Sequence, residues 1–448
     1  TAAADKAQDY FANLSPRDMS DAALRSSGKA MRQVGFIHNT QFEYEQALAA
    51  FEAALKLDHE LLARAPDDTD LLFNLGQSEF WVGNVAYERN EYSLAIEHMT
   101  NYLDISQRLY EQDATNVDWV MELCYAHTNL AAVHEANADV TSAMTHMNRS
   151  VSLNREAIAL APGDTYLVRE LSDSLAWLGT IQRTAGQLQA SLVSRKASRE
   201  VIGTLLDSEP DDATLQDLTA YAWRGEGFAL SLVGHADEAI VAYREAISRF
   251  DRLVNLDPSN VRWRRDRLQT TASLLEAAAV ANLDEIEEDE RFLDQLDSLA
   301  PTANDDFGSP LRQLALAHAR AVTAHRNNSR FPERSAKQME IALREADAVL
   351  RENPDQIEIA LHHADILLYI ADSDNELASE RLPTVGKVMI ERSQDSSDPL
   401  LLSTAIRYAL RIGRHEEVTD LSERLRATGF HSARLDHEKS RGTGMEIN

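Results

Sequence analysis

The chain carries one cysteine in 448 residues. A single thiol excludes an internal disulfide framework and any zinc site built on cysteines. Cys124 falls in an apolar helical stretch, where a buried small hydrophobe is expected rather than a nucleophile. Aromatic residues make up only 6%, with 17 glycines and 11 prolines, so the aromatic, turn-rich texture of a strand protein is missing. No window approaches ~18 uninterrupted apolar residues, which excludes a transmembrane helix. No signal-peptide pattern is visible either. Cations are also in deficit: 44 Lys and Arg against 73 Asp and Glu leave a formal net charge of −29. Nucleic acid and anionic membrane surfaces need clustered Lys and Arg, so neither is an expected partner. The surplus carboxylate has two readings: attraction of a basic peptide or domain, or solvated charge that keeps a long scaffold soluble.

Reactive motifs are missing as well. The chain has no phosphate loop of the GxxxxGK[ST] type, no GxSxG elbow, no HExxH and no calcium loop with its glycine. The acidic run "DEIEEDE" at 284–290 lacks alternating ligand spacing and reads as a solvated helix face. His98 and His146 share a repeat column, His127 and His134 share a helix face, and His362 and His363 are sequence neighbours. A metal needs three or four converging ligands. No such convergence is visible, so surface or edge histidines, no metal and no cofactor are expected. Trp81, Trp119, Trp177 and Trp263 read as helix-packing anchors.

What is present is a period. Pro66, Pro162, Pro210 and Pro258 fall on one grid of 48, with Ala114 at the intermediate step. In register the lines read "APDDTDLLFNLGQS", "DATNVDWVMELCYA", "APGDTYLVRELSDS", "EPDDATLQDLTAYA" and "DPSNVRWRRDRLQT". A fixed step of this size marks internal duplication. Small residues recur at Gly35, Gly83, Ala131, Gly179 and Gly227, then at Ala47, Ala95, Ala143, Ser191 and Ala239. Between them lies a turn position at Asn90, Ala138, Gly186 and Gly234. A large apolar anchor follows each break: Leu71, Trp119, Leu167, Leu215 and Trp263.

These columns describe helical hairpins, with a first helix of about 17 residues and a second of about 20 flanking the turn. Small residues sit where the two helices must approach closely. One hairpin cannot bury its own apolar stripes, so each stacks on its neighbour. The expected organisation is a lead-in at 1–17, regular repeats at 18–65, 66–113, 114–161, 162–209 and 210–257, divergent repeats over 258–430, and a polar tail at 431–448. At Pro301 and Pro354 the grid slips and recovers. Repeat six has lost its turn, repeat seven has a longer one in "HRNNSRFPERS", and Pro383 predicts a break or kink in a second helix.

The columns resemble the tetratricopeptide repeat, most plainly in "LGQSEFWVGNVAYERNEYSLAIEHM" and "YAWRGEGFALSLVGHADEAIVAYREAI". The usual unit has about 34 residues. The surplus here equals about two turns added to each helix, which keeps every side chain on its original face. The resemblance implies an all-α, right-handed alpha-alpha superhelix of eight to nine helical hairpins, in which first helices line a concave groove that binds peptides. Carried over repeat by repeat, the groove positions are Lys29, Arg32, Phe36 and Asn39; Gln77, Phe80, Asn84 and Tyr87; Tyr125, Thr128 and Glu135; Asp173 and Arg183; and Tyr221, Arg224 and Phe228. Only fragments of the family's carboxylate clamp are present, in Lys29, Arg32 and Asn84.

A narrower resemblance joins "ADKAQDYFANLSPRDMSDAALRSSGKAMRQVG" and "LFNLGQSEFWVGNV" to the repeat regions of large bacterial signalling proteins. In those, a kinase, TIR, caspase-like or winged-helix effector precedes the repeats. "LRATGFHSARL" looks like the natural end of such chains, and the start at Thr1 fits a piece of something longer. The implied function is non-catalytic recognition of a protein or peptide as the sensing or docking part of a signalling or defence protein. The rivals are a self-associating assembly scaffold and a small-molecule sensor. Nothing in the sequence separates a cytoplasmic from a periplasmic setting.

Overall fold

The computed structural model describes residues 16–281, 310–373 and 376–431, together with 294 and 435. Among the described residues there are seventeen α-helices and no strand, grouped as roughly eight hairpins. This is the all-α hairpin solenoid expected from the sequence. None of these helices is long and apolar enough to cross a membrane.

First helices are α1 (Asp21–Thr40), α3 (Thr69–Glu88), α5 (Val117–Ala136), α7 (Thr165–Thr184), α9 (Ala213–Leu232) and α11 (Val261–Val280). Second helices are α2 (Tyr44–Arg64), α4 (Tyr92–Gln112), α6 (Val140–Leu160), α8 (Leu188–Ser208) and α10 (Ala236–Leu256). Both series step by 48 residues. The remaining helices are α12 (Pro310–Asn327), α13 (Pro332–Glu352), α14 (Ile357–Ala371), α15 (Glu376–Ser393), α16 (Pro399–Arg411) and α17 (His415–Ala427).

The first helices of the regular repeats have 20 residues and the second 21, longer than expected. The first helices gain length because capping residues sit directly after each break. Asp68, Asn116 and Asp212 accept hydrogen bonds from the backbone N–H of Leu71, Asp118 and Leu215, satisfying donors that a helix start leaves open.

The first helices α1, α3, α5, α7 and α9 end the same way. Phe42, Asn90, Ala138, Gly186 and Gly234 have φ of 60°, 61°, 60°, 75° and 83°, the left-handed region. The next residue donates its N–H back across the turn: Glu43 to His38 O at 2.9 Å, Asp139 to His134 O at 2.8 Å, His235 to Leu230 O at 2.9 Å. This is a Schellman ending, and it reverses the chain within three residues. Glycine adopts it at no steric cost, whereas Phe42 and Ala138 are strained there.

The small-residue column marks the close approach. A Cβ added at Gly35 would lie 2.6 Å from the Phe51 ring, and one at Gly227 would lie 2.9 Å from Tyr243. Both partners stand sixteen positions downstream and are fully enclosed, with 0% and 1% of their surfaces exposed. Ala47, Ala95, Ala143 and Ala239 are likewise sealed.

By contacts the chain divides into Thr1–Ile181 and Gln182–Asn448. The first unit holds a series of small apolar clusters. Each bridges a second helix to the next first helix, as Leu61 meets Leu71 and Leu153 meets Leu167. In the second unit two larger clusters gather many of the apolar residues, beside a small one at Ala220, Phe250 and Leu253. The last hairpin of that unit folds back onto its opening turns. Arg183 pairs with Asp398 at 2.9 Å, Ser397 Oγ donates to Thr184 O at 3.2 Å, and His431 N–H donates to Leu232 O at 3.0 Å. The unit is therefore closed on itself rather than open-ended.

The divergent repeats qualify two expectations. Helix α15 runs on through Pro383, so the proline withholds one donor without breaking the helix. The turn between α12 and α13 is longer by one residue than the regular ones, closed by Phe331 N–H on Asn327 O at 2.8 Å. The residues expected as the altered turn of repeat six, including the acidic run at 284–290 and Pro301, lie outside the described residues. So do 1–15 of the lead-in and the tail beyond 431, apart from Leu435, which is buried against the apolar cluster of the second unit.

Ala138→Gly removes a left-handed strain of about 1–2 kcal/mol, partly offset by glycine's entropy, so thermal denaturation should show about 0.5–1 kcal/mol of added stability. Gly227→Ala drives a methyl into Tyr243 and should lower the melting temperature by several degrees, a cost of about 1–3 kcal/mol.

Candidate peptide-binding surface

In the first unit, the candidate residues on α1, α3 and α5 fall into two groups. One group is tied up between repeats. The Arg32 guanidinium pairs with Asp58 and donates to Asn74 Oδ1 at 3.1 Å and Ser78 Oγ at 3.2 Å. Burial pushes the Asp58 carboxyl up, against the opposing pull of Arg32. Gln77 donates to the Glu122 carboxylate at 3.3 Å. The hydroxyls of Tyr125 and Tyr166 meet at 2.5 Å, and burial holds the Tyr125 phenol well above its ordinary range. Thr128 bonds Cys124 O and Ser150 Oγ, and Glu135 accepts from the Trp177 indole at 2.7 Å. Most of these pairs join residues 41–46 apart, so they knit one first helix to the next.

The other group stays open. Phe36 is 51% exposed, an unusual position for a phenylalanine, and it stands edge-on to Trp81 with ring centroids 5.7 Å apart. Trp81 in turn stacks on Phe51 at 5.4 Å and meets Phe80 at 5.0 Å. On the same helix as Phe36 lie Lys29, exposed, and Asn39, whose Oδ1 is buried without a hydrogen bond. Asn84 and Tyr87 are half-buried, and burial raises the Tyr87 phenol. Asp173 reaches solvent, yet desolvation raises its carboxyl, so protein surrounds it closely.

In the second unit, Arg183 is committed to Asp398. Tyr221 bonds Asp266, with the Arg224 guanidinium 4.5 Å over its ring, and Arg224 also reaches Asp266 and Gln269. Phe228 is 37% exposed. Arg195, which sequence reasoning missed, is half-buried close to Arg183 and Arg224. Desolvation and then their like charge lower it to about 10.

The histidines divide in a way that sequence only half anticipated. His98 Nδ1 contacts Glu79 at 2.6 Å. Burial opposes ionisation of Glu79, but hydrogen bonds from His59 and His98 hold it down at about 2. One step of 48 later, Glu79 is replaced by His127, and His146 meets it with Nδ1 atoms 2.9 Å apart. The His134 ring stacks on His146, with centroids 5.5 Å apart. His363 binds Asp347 at 2.8 Å. The expectation of scattered histidines missed one convergence: Glu276, His318 and Asp365, from α11, α12 and α14, bring their ligating atoms within 4.8 Å of one another. These residues stand 42 and 47 apart, near the repeat length, but the slip of the grid after Pro258 hid their common column. Cys124 is buried beside Ser150, and desolvation pushes its thiol up to about 11, as suits a core residue.

No family model and no curated protein matches the chain. Among solved structures, it is similar to the apo form of RapI at 10% identity and TM-score 0.47, over 93% of this chain and 99% of that one. A Rap protein complexed with competence and sporulation factor gives 10% identity and 0.44, over 92% and 99%. A thermophilic TPR protein of Thermus thermophilus gives 16% identity and 0.30, over 55% and 99%.

The histidine pair sets a pH dependence. Burial, and then the charge of His146, lowers His127 to about 4, and burial lowers His146 as well. A base depressed in the fold stays neutral while the unfolded chain takes up protons near pH 6.5. Its stabilising contribution is thus intact above pH 6.5 and is lost as pH falls towards 4. After discounting for partial exposure, the loss at pH 5 is on the order of 1 kcal/mol. Thermal melts from pH 7 to 5 should show this slope, and His127→Gln should flatten it.

Proposed function

We propose that the chain is a non-catalytic protein- or peptide-binding solenoid, with the first-helix face of α1 and α3 as its principal contact surface. The observation that carries this reading is Phe36. A half-exposed phenylalanine costs solvation, and here it extends a packed row of Phe80, Trp81 and Phe51 out to solvent. Rigid aromatic anchors of this kind carry most of the energy in interfaces. The side-chain amides of Asn39 and Asn84 lie on the same helices, and such groups pair with the main chain of an extended peptide. With −29 net charge, a basic segment is the favoured ligand, since long-range attraction speeds its encounter.

The setting we propose is the sensing or docking region of a bacterial signalling or defence protein, with an effector domain elsewhere in the same polypeptide. In that arrangement partner binding alters the repeats or their self-association, and so controls the effector. The closed second unit favours a division of labour. Arg183 and Asp398 hold that unit shut, while the open aromatic row of the first unit receives the partner.

Trp81 supplies a built-in reporter, because it contacts Phe36 directly. An array of basic 12–15-residue peptides, followed by tryptophan-fluorescence titration of its best binder, should give saturable binding. Phe36→Ala with Asn84→Ala should weaken it at least tenfold without changing the melting temperature. Oligomers seen by light scattering, with no peptide bound and no effect of these substitutions, would establish the assembly-scaffold reading instead.

A further inference from the structure

Three first helices of the second unit deliver a mixed nitrogen and oxygen donor set to one point. Glu276 comes from α11, His318 from α12 and Asp365 from α14. His318 Nε2 lies 3.0 Å from Asp365 Oδ2 and 3.7 Å from Glu276 Oε1. Donor atoms sharing an ion at bonds of about 2.0–2.2 Å stand about 3.0–3.4 Å apart, so modest side-chain adjustment closes the set around a cation.

Each donor is oriented by an outer partner, as metal ligands are. The Arg407 guanidinium of α16 binds Asp365 Oδ1, which leaves Oδ2 facing the imidazole. The Tyr369 hydroxyl of α14 donates to Glu276 Oε1, and its ring packs edge-on against His318 with centroids 5.6 Å apart. Charge favours an ion as well. Two carboxylates against one guanidinium leave a net negative charge around the imidazole, which a divalent cation compensates.

A further nitrogen donor stands beside the set. His362 lies one turn from Asp365 on α14, with its ring 6.4 Å from that of His318. It reaches solvent, so its ring nitrogens are open to an incoming ion. Imidazole with carboxylate is a donor set of zinc-class ions, whereas calcium takes oxygen alone.

We propose that Glu276, His318 and Asp365 form a binding site for a divalent cation of the zinc class, with His362 as the adjacent fourth donor and solvent completing the coordination. The site ties three successive repeats together at a single ion, and it is independent of the peptide surface in the first unit.

The test uses the full chain, stripped with a chelator and titrated with Zn²⁺ by calorimetry, with Co²⁺ as a coloured substitute. Wild type should bind about one equivalent, gain melting temperature, and give the visible absorption of imidazole- and carboxylate-ligated cobalt. His318→Gln should weaken binding at least tenfold and remove the cobalt signal. Because Asp365 also anchors Arg407, Glu276→Gln is the safer second variant, read with metal-free circular dichroism to show that the fold is retained. His146→Gln should leave the equivalent in place. Absence of a tight equivalent in wild type would overturn the proposal and leave an ion-pair cluster. So would binding that survives both His318→Gln and Glu276→Gln, or that vanishes only with His146→Gln.

Discussion

The close approach of two helices within each hairpin is the constraint on which the other features depend. At Gly35 and Gly227 there is no room for a methyl group, because Phe51 and Tyr243 occupy the space. That approach fixes where the second helix must start, and the left-handed residue two positions past each of α1, α3, α5, α7 and α9 delivers it there. With spacing and reversal both fixed, every hairpin presents the same flank. Leu61 can then meet Leu71, and Leu153 can meet Leu167, across successive units of structure. Even Phe42 and Ala138 accept the left-handed conformation, so the geometry of reversal outweighs local preference at those positions.

This explains what the sequence made legible. Columns of Gly and Ala reflect a steric demand that few residues can meet, and such demands leave strong signals. The capping Asp68, Asn116 and Asp212 are visible for the same reason, since only short polar side chains reach back to helix-start N–H groups. The polar ladder between first helices was not legible. Gln77 with Glu122, Glu135 with Trp177 and Arg224 with Asp266 use different chemistry at comparable positions. A hydrogen bond between neighbouring repeats needs complementary partners, not a fixed residue type, so no column records it. Resemblance marked these positions as groove-facing, but it could not tell a residue bonded to the next repeat from one left for a ligand.

That distinction divides the candidate residues into two kinds. Where the ladder is complete, as at Arg32, Tyr125 and Tyr221, a ligand would have to displace bonds already made, and leave buried charges such as Asp58 without their partner. Where it lapses, Phe36 reaches solvent and Asn39 Oδ1 has no hydrogen-bond partner among the described residues. In the proposed reading, binding energy concentrates on the shelf of α1 and α3, while the bonded residues of the first-helix face hold the repeats in register.

The same ladder accounts for the metal-site geometry further along. In α11, α12 and α14 the rungs carry two carboxylates and an imidazole instead of an acid–amide or acid–arginine pair. A rung of unlike charges closes by itself, as Arg407 and Asp365 do. One that brings Glu276 towards Asp365 closes only if a proton on His318 or a cation stands between them, because like charges at that separation repel. His362 beside it, on the same helix as Asp365, adds a further nitrogen donor. A cation is then the species that satisfies every group at once, and the point where the repeat spacing departs from its regular step is also the point where an ion can hold three helices together.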